Sequence, residues 1–238
     1  MNFIASRRRL RGRLDNTIRT LCPLIEGEVL KRAWVKRSEY ELRRELVGCI
    51  LGSQVRHEMA VAATENLEYT NLLTDTRWYR RRDISFESDV LMVLEGRAVR
   101  VRHLGRYRFP RVRAKQLAKV RDALSQVPLT NRLANDHAPT ELRKKLIEQI
   151  PGLGPKQASM FLRNSGRSYD LAILDTHVLR YIDMRGLLPL AKARINTVRG
   201  YEAAERIVVE YAGTLGYPVG YLDWAIWATM KAARELAT

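Results

Sequence analysis

The chain has 238 residues, and its 42 lysines and arginines outnumber its 26 aspartates and glutamates, which gives a formal net charge of +16. Because 46% of the residues are hydrophobic, the chain has enough apolar material to bury a core and is not intrinsically disordered. The length allows one or two compact domains. The charge does not define a fold, but it indicates a polyanionic partner, either nucleic acid or an acidic membrane surface.

The composition also limits the possible cofactors and compartments. Two cysteines, Cys22 and Cys49, are too few for an iron–sulfur cluster or a disulfide framework, and both are expected to be small buried residues in a reducing compartment. The four histidines lack ligand spacing, so no metal site is expected. No apolar run reaches the roughly 20 residues of a membrane span, and the N-terminus has the reverse charge order of a signal peptide. We therefore expect a cytoplasmic protein. An acidic membrane surface is the poorest candidate partner, because the basic segments have no accompanying large exposed apolar face.

The hydrophobic periodicity is helical through most of the chain and predicts an all-α protein. In chain order, the predicted helices cover 39–52, 56–68, 113–126, 140–150, 155–166, 176–185, 200–213 and 220–236. Thr140 is the expected N-cap of its helix, and Pro110 is expected to separate a helix from what precedes it. The polar stretch 69–88 shows no assignable order, and only 97–102 alternates weakly in the manner of a strand.

The basic residues are concentrated in a few segments. Residues 97–121 hold ten lysines and arginines and no acidic residue, and smaller clusters occupy 7–13 and 80–82. An ordinary solvated face mixes both signs, whereas a stripe of one sign repels itself unless an anion relieves it. The stripe at 97–121 therefore predicts binding to nucleic-acid phosphates, with a plain solvated helix face as the alternative.

Residues 150–156, IPGLGPK, lie between two predicted helices. Gly152 and Gly154 permit backbone conformations and close approaches that a side chain forbids. The turn leads into a helix N-terminus, where unpaired N–H groups and the helix dipole attract anions. A helix–hairpin–helix of this kind can hold a DNA phosphate without contacting a base, although a simple helical corner is the alternative.

Two charged residues after this turn are candidate catalytic residues. Lys156 occupies the first turn of its helix, where the dipole disfavours a cation and favours the neutral, nucleophilic amine, unless the long stem simply carries the ammonium into water. Asp175 stands between a short apolar run and a new helix, a typical N-cap position. A carboxylate held by helix amides also suits the stabilisation of a cation.

With these residues the sequence resembles the helix-hairpin-helix-GPD superfamily of DNA glycosylases, and most closely the archaeal-type 8-oxoguanine DNA glycosylase/AP lyases. The lysine of IPGLGPK and the aspartate of LDTH, nineteen residues later, match the superfamily pattern. The other matching segments are ELVGCILGSQVRHEMAVAATENL (45–67), RYRFPRVRAKQL (106–117), LGPKQASMFLRNSG (153–166), LAILDTHVLR (171–180) and LDWAIWATMK (222–231).

The resemblance implies two helical domains with an active site in the cleft between them. One domain would cover 36–168 and carry the hairpin, and the other would combine 1–35 with 169–238. Lys156 and Asp175 would then face each other across the cleft. A flipped oxidised purine, 8-oxoguanine above all, would be excised through a Schiff base on Lys156, followed by β-elimination, while Asp175 stabilises the cationic sugar. The partner would be double-stranded DNA with a damaged base, and the enzyme a monomer associated with the nucleoid.

The resemblance also implies further site residues. The phosphate contacts would come from the hairpin glycines and from three residues of the stripe, namely Arg111, Arg113 and Lys115. Gln54 would face the duplex gap or the base pocket, with a helix-end polar residue as the alternative. Met160, Phe161 and Trp227 are expected either in the pocket wall or in the core, and Asp223 either accepts a hydrogen bond from the base or caps the last helix. A monovalent cation at the hairpin is the only cofactor considered.

The sequence departs from the archaeal-type pattern in two places. Met160 occurs where a histidine commonly follows the catalytic lysine by four positions, and the C-terminal ATMKAARELAT differs from the family's lysine-rich tail. Both changes concern base recognition. Two alternatives therefore stay open: a glycosylase for another modified base, and a non-catalytic helix-hairpin-helix DNA-binding protein. Because phosphate binding requires neither Lys156 nor Asp175, their presence favours an enzyme.

Overall fold

The computed structural model describes residues 2–32, 37–79, 85–96, 105–134 and 137–236. The helices within those residues are α1 (Asn2–Arg32), α2 (Glu39–Leu51), α3 (His57–Tyr69), α4 (Asp75–Trp78), α5 (Phe86–Glu95), α6 (Pro110–Gln126), α7 (Leu129–Ala134), α8 (Pro139–Gln149), α9 (Pro155–Asn164), α10 (Thr176–Met184), α11 (Val198–Leu215) and α12 (Val219–Glu235). A short 3₁₀ turn covers Leu190–Lys192. No β-strand occurs in the described part of the chain, so the predicted all-α fold is confirmed.

The chain divides into two compact units, Lys36–Ser165 and Met1–Val35 together with Gly166–Thr238. The unit Lys36–Ser165 contains α2 to α9, and we call it the lysine unit because it holds Lys156. The other unit contains α1 and α10 to α12, and we call it the aspartate unit because it holds Asp175.

In the lysine unit, α2 packs against α3 and α9, and α8 packs against α9. The start of α2 is fixed by a capping box: the Ser38 hydroxyl accepts from the Glu41 amide, and the Glu41 carboxylate accepts from the Ser38 amide. The side chains of Leu46, Val47 and Ile50 on the inner face of α2 are buried. Helix α2 is therefore the central support for α9, which carries Lys156.

In the aspartate unit, α12 packs against α1, α10 and α11. Its core is apolar, with Ile18 and Cys22 from α1, Val178 and Ile182 from α10, and Ile226 from α12. Both cysteines of the chain are buried free thiols, as the sequence predicts.

The sequence missed several elements and misplaced two helix starts. Helix α1 was not predicted, and it keeps Pro23 in its interior despite the lost amide. Helix α6 begins at Pro110, because proline fits the first helical turn. Helix α8 begins at Pro139 after Ala138, so the prediction that Thr140 caps it is wrong. Helices α4, α5 and α7 were also missed, since α4 and α7 are short and α5 begins inside the polar stretch 69–88.

Some predicted features lie outside the described residues: the arginines at 80–82, the whole strand-like segment 97–102 and the beginning of the basic stripe. The side chains of the first arginines of the 7–13 cluster are also outside them. Among the helices that are described, none combines the length and apolarity that crossing a lipid bilayer requires.

Candidate active site

The hairpin between α8 and α9 is built on one left-handed glycine. Gly152 has φ +89°, and a Cβ there would lie 3.0 Å from Gln116 Cδ, so the position favours glycine for both conformation and space. Gly154 has φ −101°, an ordinary value, and it serves as the N-cap residue of α9 without a side-chain hydrogen bond. Only one of the two predicted glycines therefore needs its conformational freedom.

Lys156 is the second residue of α9 and is partly exposed. Within the described residues, no group forms a hydrogen bond or ion pair with its Nζ. The first turn of α9 also contains no acidic residue that would balance the cation. The ammonium thus lies at the positive end of a helix with no anion bound to it, and its amine is available to react when deprotonated.

Beneath α9, the Cys49 thiol of α2 is fully buried, and its Sγ donates to Glu45 Oε1 at 3.6 Å. Burial raises the pKa of the Cys49 thiol well above its usual value, and the Glu45 carboxylate adds to this rise, whereas the Arg163 and Lys156 cations oppose it. The thiol therefore stays protonated and does not compete with the Lys156 amine as a nucleophile.

The Glu45 carboxylate also joins α2 to the end of α9. Asn164 Nδ2 donates to Glu45 Oε1 at 2.7 Å, and Arg163 Nε donates to Asn164 Oδ1 at 3.2 Å. This chain of contacts holds the last turn of α9 against α2 and fixes the helix that carries Lys156. Glu45 was not among the predicted residues, since nothing in the local sequence pattern distinguishes it from a surface glutamate.

Asp175 is the N-cap of α10, as predicted. Its Oδ1 accepts from the backbone amides of His177 and Val178, both at 2.8 Å. Among the described residues, no donor contacts its other oxygen, Oδ2. One oxygen therefore fixes the carboxylate on the helix end while the other is free to face a substrate, and the helix dipole favours the negative charge.

The segment before Asp175 is buried but not helical, and side chains satisfy its amides. The Ala172 amide donates to Glu205 Oε1 at 2.9 Å, and the Ile173 amide donates to Asp223 Oδ2 at 2.7 Å. The Leu174 amide donates to the Tyr201 hydroxyl at 3.0 Å. These bonds hold the chain that leads into α10 and so fix Asp175.

Asp223 therefore has a different role from the cap considered in the sequence analysis. It lies inside α12, whose N-cap residue is Pro218, and its side chain is 1% exposed. The prediction that it caps the last helix is wrong. Its carboxylate anchors the segment before Asp175, which is a role that only the tertiary structure shows.

Arg113 also differs from its predicted role. Its side chain is 7% exposed, and its guanidinium donates to Ser53 O at 2.9 Å and to Gln116 Oε1 at 2.5 Å. A buried guanidinium committed to protein acceptors does not reach a phosphate, so this assignment is corrected. By contrast, Arg111 is 85% exposed and makes a long 3.7 Å contact with Glu95, and Lys115 is exposed.

Gln54 follows the end of α2 and is exposed, with φ +60°. A left-handed conformation is uncommon for a residue with a side chain, and in such a residue it often marks a functional turn. The Tyr107 hydroxyl donates to Leu51 O at 2.7 Å and, with Arg113, satisfies carbonyls on either side of the end of α2. The sequence predicted no structural or functional role for Tyr107 or Gln116.

The remaining predicted pocket residues differ in exposure. Phe161 is fully buried in α9, which supports its core alternative. Met160 and Trp227 are partly exposed, and the Lys231 ammonium lies 5.2 Å from the Trp227 ring centroid. Trp227 therefore has part of its ring exposed and a cation within contact distance of the ring, and its place in a pocket wall stays a prediction.

Comparison with known proteins places this chain among DNA glycosylases. The family described as 8-oxoguanine DNA glycosylase matches residues 87–217. An 8-oxoguanine DNA glycosylase/AP lyase of Sulfurisphaera tokodaii is 30% identical over 184 residues, which cover 77% of this chain and 79% of that protein.

Solved structures show the same similarity. The structure of the 8-oxoguanine DNA glycosylase of Thermotoga maritima matches with a TM-score of 0.68 and 27% identity, covering 93% of this chain and 95% of that one. A Methanocaldococcus jannaschii 8-oxoguanine glycosylase/lyase, solved with a 15mer DNA containing 8-oxoguanine, matches with a TM-score of 0.62. At 23% identity over 85% of this chain and 89% of that one, this second match shows a shared fold.

Proposed function

The chain belongs to the 8-oxoguanine DNA glycosylase family, and from this premise we propose that it excises 8-oxoguanine from duplex DNA through a Schiff base on Lys156. It is an N-glycosylase and AP lyase of DNA repair, in keeping with its relatives. The observation that carries the proposed mechanism is the Lys156 ammonium, which has no protein partner among the described residues at the end of the hairpin.

The first step breaks the glycosidic bond of a nucleotide flipped out of the duplex. The electron pair of the C1′–N9 bond leaves with the base, which takes up a proton, and positive charge develops at C1′ and the ring oxygen. Asp175 Oδ2 would stabilise this charge, because the carboxylate is held by two amides of α10. The neutral amine of Lys156 then forms a bond to C1′.

The second step cleaves the strand. Opening of the sugar ring gives a protonated Schiff base between Lys156 and C1′, which acidifies the proton at C2′. Loss of that proton sends electrons toward C3′, and the C3′–O bond breaks with the 3′ phosphate as leaving group. Hydrolysis of the imine releases an unsaturated aldehyde on the 5′ fragment and regenerates the Lys156 amine.

Sequence-independent binding would come from the hairpin and the exposed part of the basic stripe. Gly152 and Gly154 bring the backbone of the hairpin to the surface, and Arg111 and Lys115 present exposed cationic side chains on α6. Such contacts neutralise phosphates, so binding depends strongly on salt. Gln54, exposed on its left-handed turn, would enter the gap that the flipped nucleotide leaves.

Three expectations from the sequence extend this proposal. A monovalent cation would be held by backbone carbonyl oxygens of the hairpin, since residues 150–154 contain no carboxylate that could serve as a ligand. The enzyme would act as a monomer without an iron–sulfur cluster. Its place would be the nucleoid of the cytoplasm.

The test is borohydride trapping on duplexes that each carry a single lesion. We expect a covalent protein–DNA adduct on 8-oxoguanine duplexes, because borohydride reduces the imine to a stable amine, and no adduct on undamaged DNA. An absence of both base release and adduct on 8-oxoguanine would overturn the proposal.

Met160 and the altered C-terminal tail favour one second candidate, the excision of another modified base by the same chemistry. Trapping on other lesions, with no adduct on 8-oxoguanine, would select this candidate. Strand binding without any adduct would instead select a non-catalytic DNA-binding protein.

A further inference from the structure

Three separate parts of the lysine unit meet at one side chain. They are the turn after α2 that contains Gln54, the hairpin at 150–154, and the aromatic N-cap of α6, Phe109. Arg113 contacts the first directly, the second through Gln116, and the third through its guanidinium face. Arg113 therefore supports both the Gln54 turn and the hairpin, which are proposed to contact DNA.

The contact with the turn is made at the residue before Gln54. Arg113 Nη2 donates to Ser53 O at 2.9 Å, and Gln54 then adopts φ +60°. A residue with a side chain keeps such a conformation only when the surrounding structure holds it. The Tyr107 hydroxyl on Leu51 O, at 2.7 Å, is a second buried contact with the same part of the chain.

The contact with the hairpin passes through Gln116. Arg113 Nη1 donates to Gln116 Oε1 at 2.5 Å, one turn further along α6. The Gln116 amide group lies so close to Gly152 that a Cβ on the glycine would be 3.0 Å from Gln116 Cδ. The left-handed residue of the hairpin thus packs directly on a side chain that Arg113 orients.

The burial of Arg113 indicates that its role is to hold these contacts in place. Within the described residues it forms no ion pair, and its Nε is buried without a hydrogen-bond partner. Burying a cation among neutral acceptors is unfavourable, and an apolar side chain would fill the same space at less cost. What the guanidinium adds is a rigid fork that donates to two acceptors in fixed directions.

We propose that Arg113 is a positioning residue that holds the Gln54 turn and the 152 hairpin in one fixed arrangement, so that both engage damaged DNA together. This inference rests on the proposed function, because it takes damaged duplex as the ligand. Arg113 touches no DNA in this scheme, and it acts through Gln54 and through Gln116.

The test is a double-mutant cycle between Arg113→Lys and Gln54→Ala, measured as single-turnover release of the base. We expect each variant to slow release about tenfold, and the double variant to be no more than about threefold slower than either single one, because the two residues act as a unit. The matched control is Arg121→Lys, which alters another buried arginine of α6, one that stacks on Phe86. Its effect should multiply with that of Gln54→Ala.

A second variant tests the inference if Arg113→Lys does not fold. Gln116→Ala removes the acceptor for Arg113 Nη1, and Arg113 is the side chain that joins Gln116 to the residue before Gln54. We expect the same lack of additivity, with a smaller single effect of about threefold. Independent, multiplicative effects of Gln54→Ala with either variant would overturn the inference.

A chemistry-free measurement separates this inference from the proposed function. Fluorescence of 2-aminopurine opposite a stable abasic analogue reports the distortion of the duplex by the wild-type protein. We expect the rise in fluorescence to be smaller with Arg113→Lys than with the wild type. In the Gln54→Ala background, adding Arg113→Lys should not lower the rise any further. If the wild type fails to excise 8-oxoguanine but this pattern holds, the proposed function fails and the positioning role stands. If the rise in Arg113→Lys equals that of the wild type, the positioning role fails.

Discussion

The two proposed catalytic residues both stand at helix N-termini, but their local structures are opposite. Asp175 precedes α10 and binds two of its amides through one oxygen. Lys156 lies inside the first turn of α9, whose N-cap is a glycine with no side-chain bond. One helix end is thus satisfied by the reactive group, whereas the reactive group at the other has no partner in the described part of the chain.

The difference follows from the charge that each step needs. An anion is stabilised at a helix N-terminus, so Asp175 can cap its helix and still offer an oxygen to a developing cation. A cation gains no stabilisation there, so Lys156 has no ion pair among the described residues and its side chain is open to a substrate. The same helix property therefore supports two opposite tasks, and the variants below test each end separately.

The largest effect is expected from Lys156→Gln, which removes the nucleophile. The borohydride adduct should disappear, and strand cleavage should slow by about 10⁴-fold or more. Folding should not suffer, and stability should rise by about 0.5 kcal/mol, because a cation leaves the positive end of α9. Chemical quench assays and urea unfolding measure the two quantities. Lys144→Gln removes the same charge from an exposed site on α8 and serves as control.

Asp175→Asn separates charge from capping at the other helix end. Asparagine is a good N-cap, so stability should change little, while base release should slow by about a hundredfold to a thousandfold. Asp175→Ala should lose the same activity and about 1 kcal/mol of stability as well. The control is Thr197→Ala, which removes the side-chain cap of α11. A fully active Asp175→Asn would show that the capping bonds, and not the charge, are the role of this residue.

The sequence predicted these two helix ends because their signals are local. An aspartate between an apolar run and a helical pattern is a cap wherever it occurs, and a glycine–proline step before a helix is equally recognisable. The predictions that failed depend on tertiary contacts. Arg113 belongs to a basic stripe in sequence, yet its burial depends on Ser53, 60 residues away along the chain. Asp223 likewise bonds Ile173, 50 residues away.

The third prediction changes the hairpin that precedes α9, through Gly152→Ala. An alanine would be strained at φ +89° and crowded by Gln116, so the variant should lose about 1–2 kcal/mol of stability. Its affinity for duplex DNA should fall about tenfold if one phosphate contact is lost. Gly154→Ala is the matched comparison for folding, because its φ is ordinary and its only close neighbour is a flexible Gln157 oxygen. Equal stability of the two variants would contradict the conclusion that Gly152 is the hairpin residue that requires a left-handed conformation.

The last prediction concerns stability alone and not activity, namely the stability of the lysine unit at high pH. Burial raises the pKa of Tyr107 from 10.0 to about 12, so the folded protein retains this proton at a pH where the unfolded chain loses it. The contribution is complete below pH 10 and is lost as the pH rises toward 12, to a total of about 2–3 kcal/mol. In the aspartate unit, burial and bonds to Tyr211 and Asp15 raise the pKa of Tyr181 in the same direction.

Urea unfolding at pH 9 and pH 11 measures this term, with Tyr107→Phe as the test and Tyr69→Phe, at an 87% exposed residue, as the control. The phenylalanine variant should be less stable at pH 9, because it leaves Leu51 O without its buried donor, and should lose less stability than the wild type on going to pH 11. The control should follow the wild type at both values. A decline as steep in Tyr107→Phe as in the wild type would place the alkaline sensitivity elsewhere, with Tyr181 of the aspartate unit as the next residue to change.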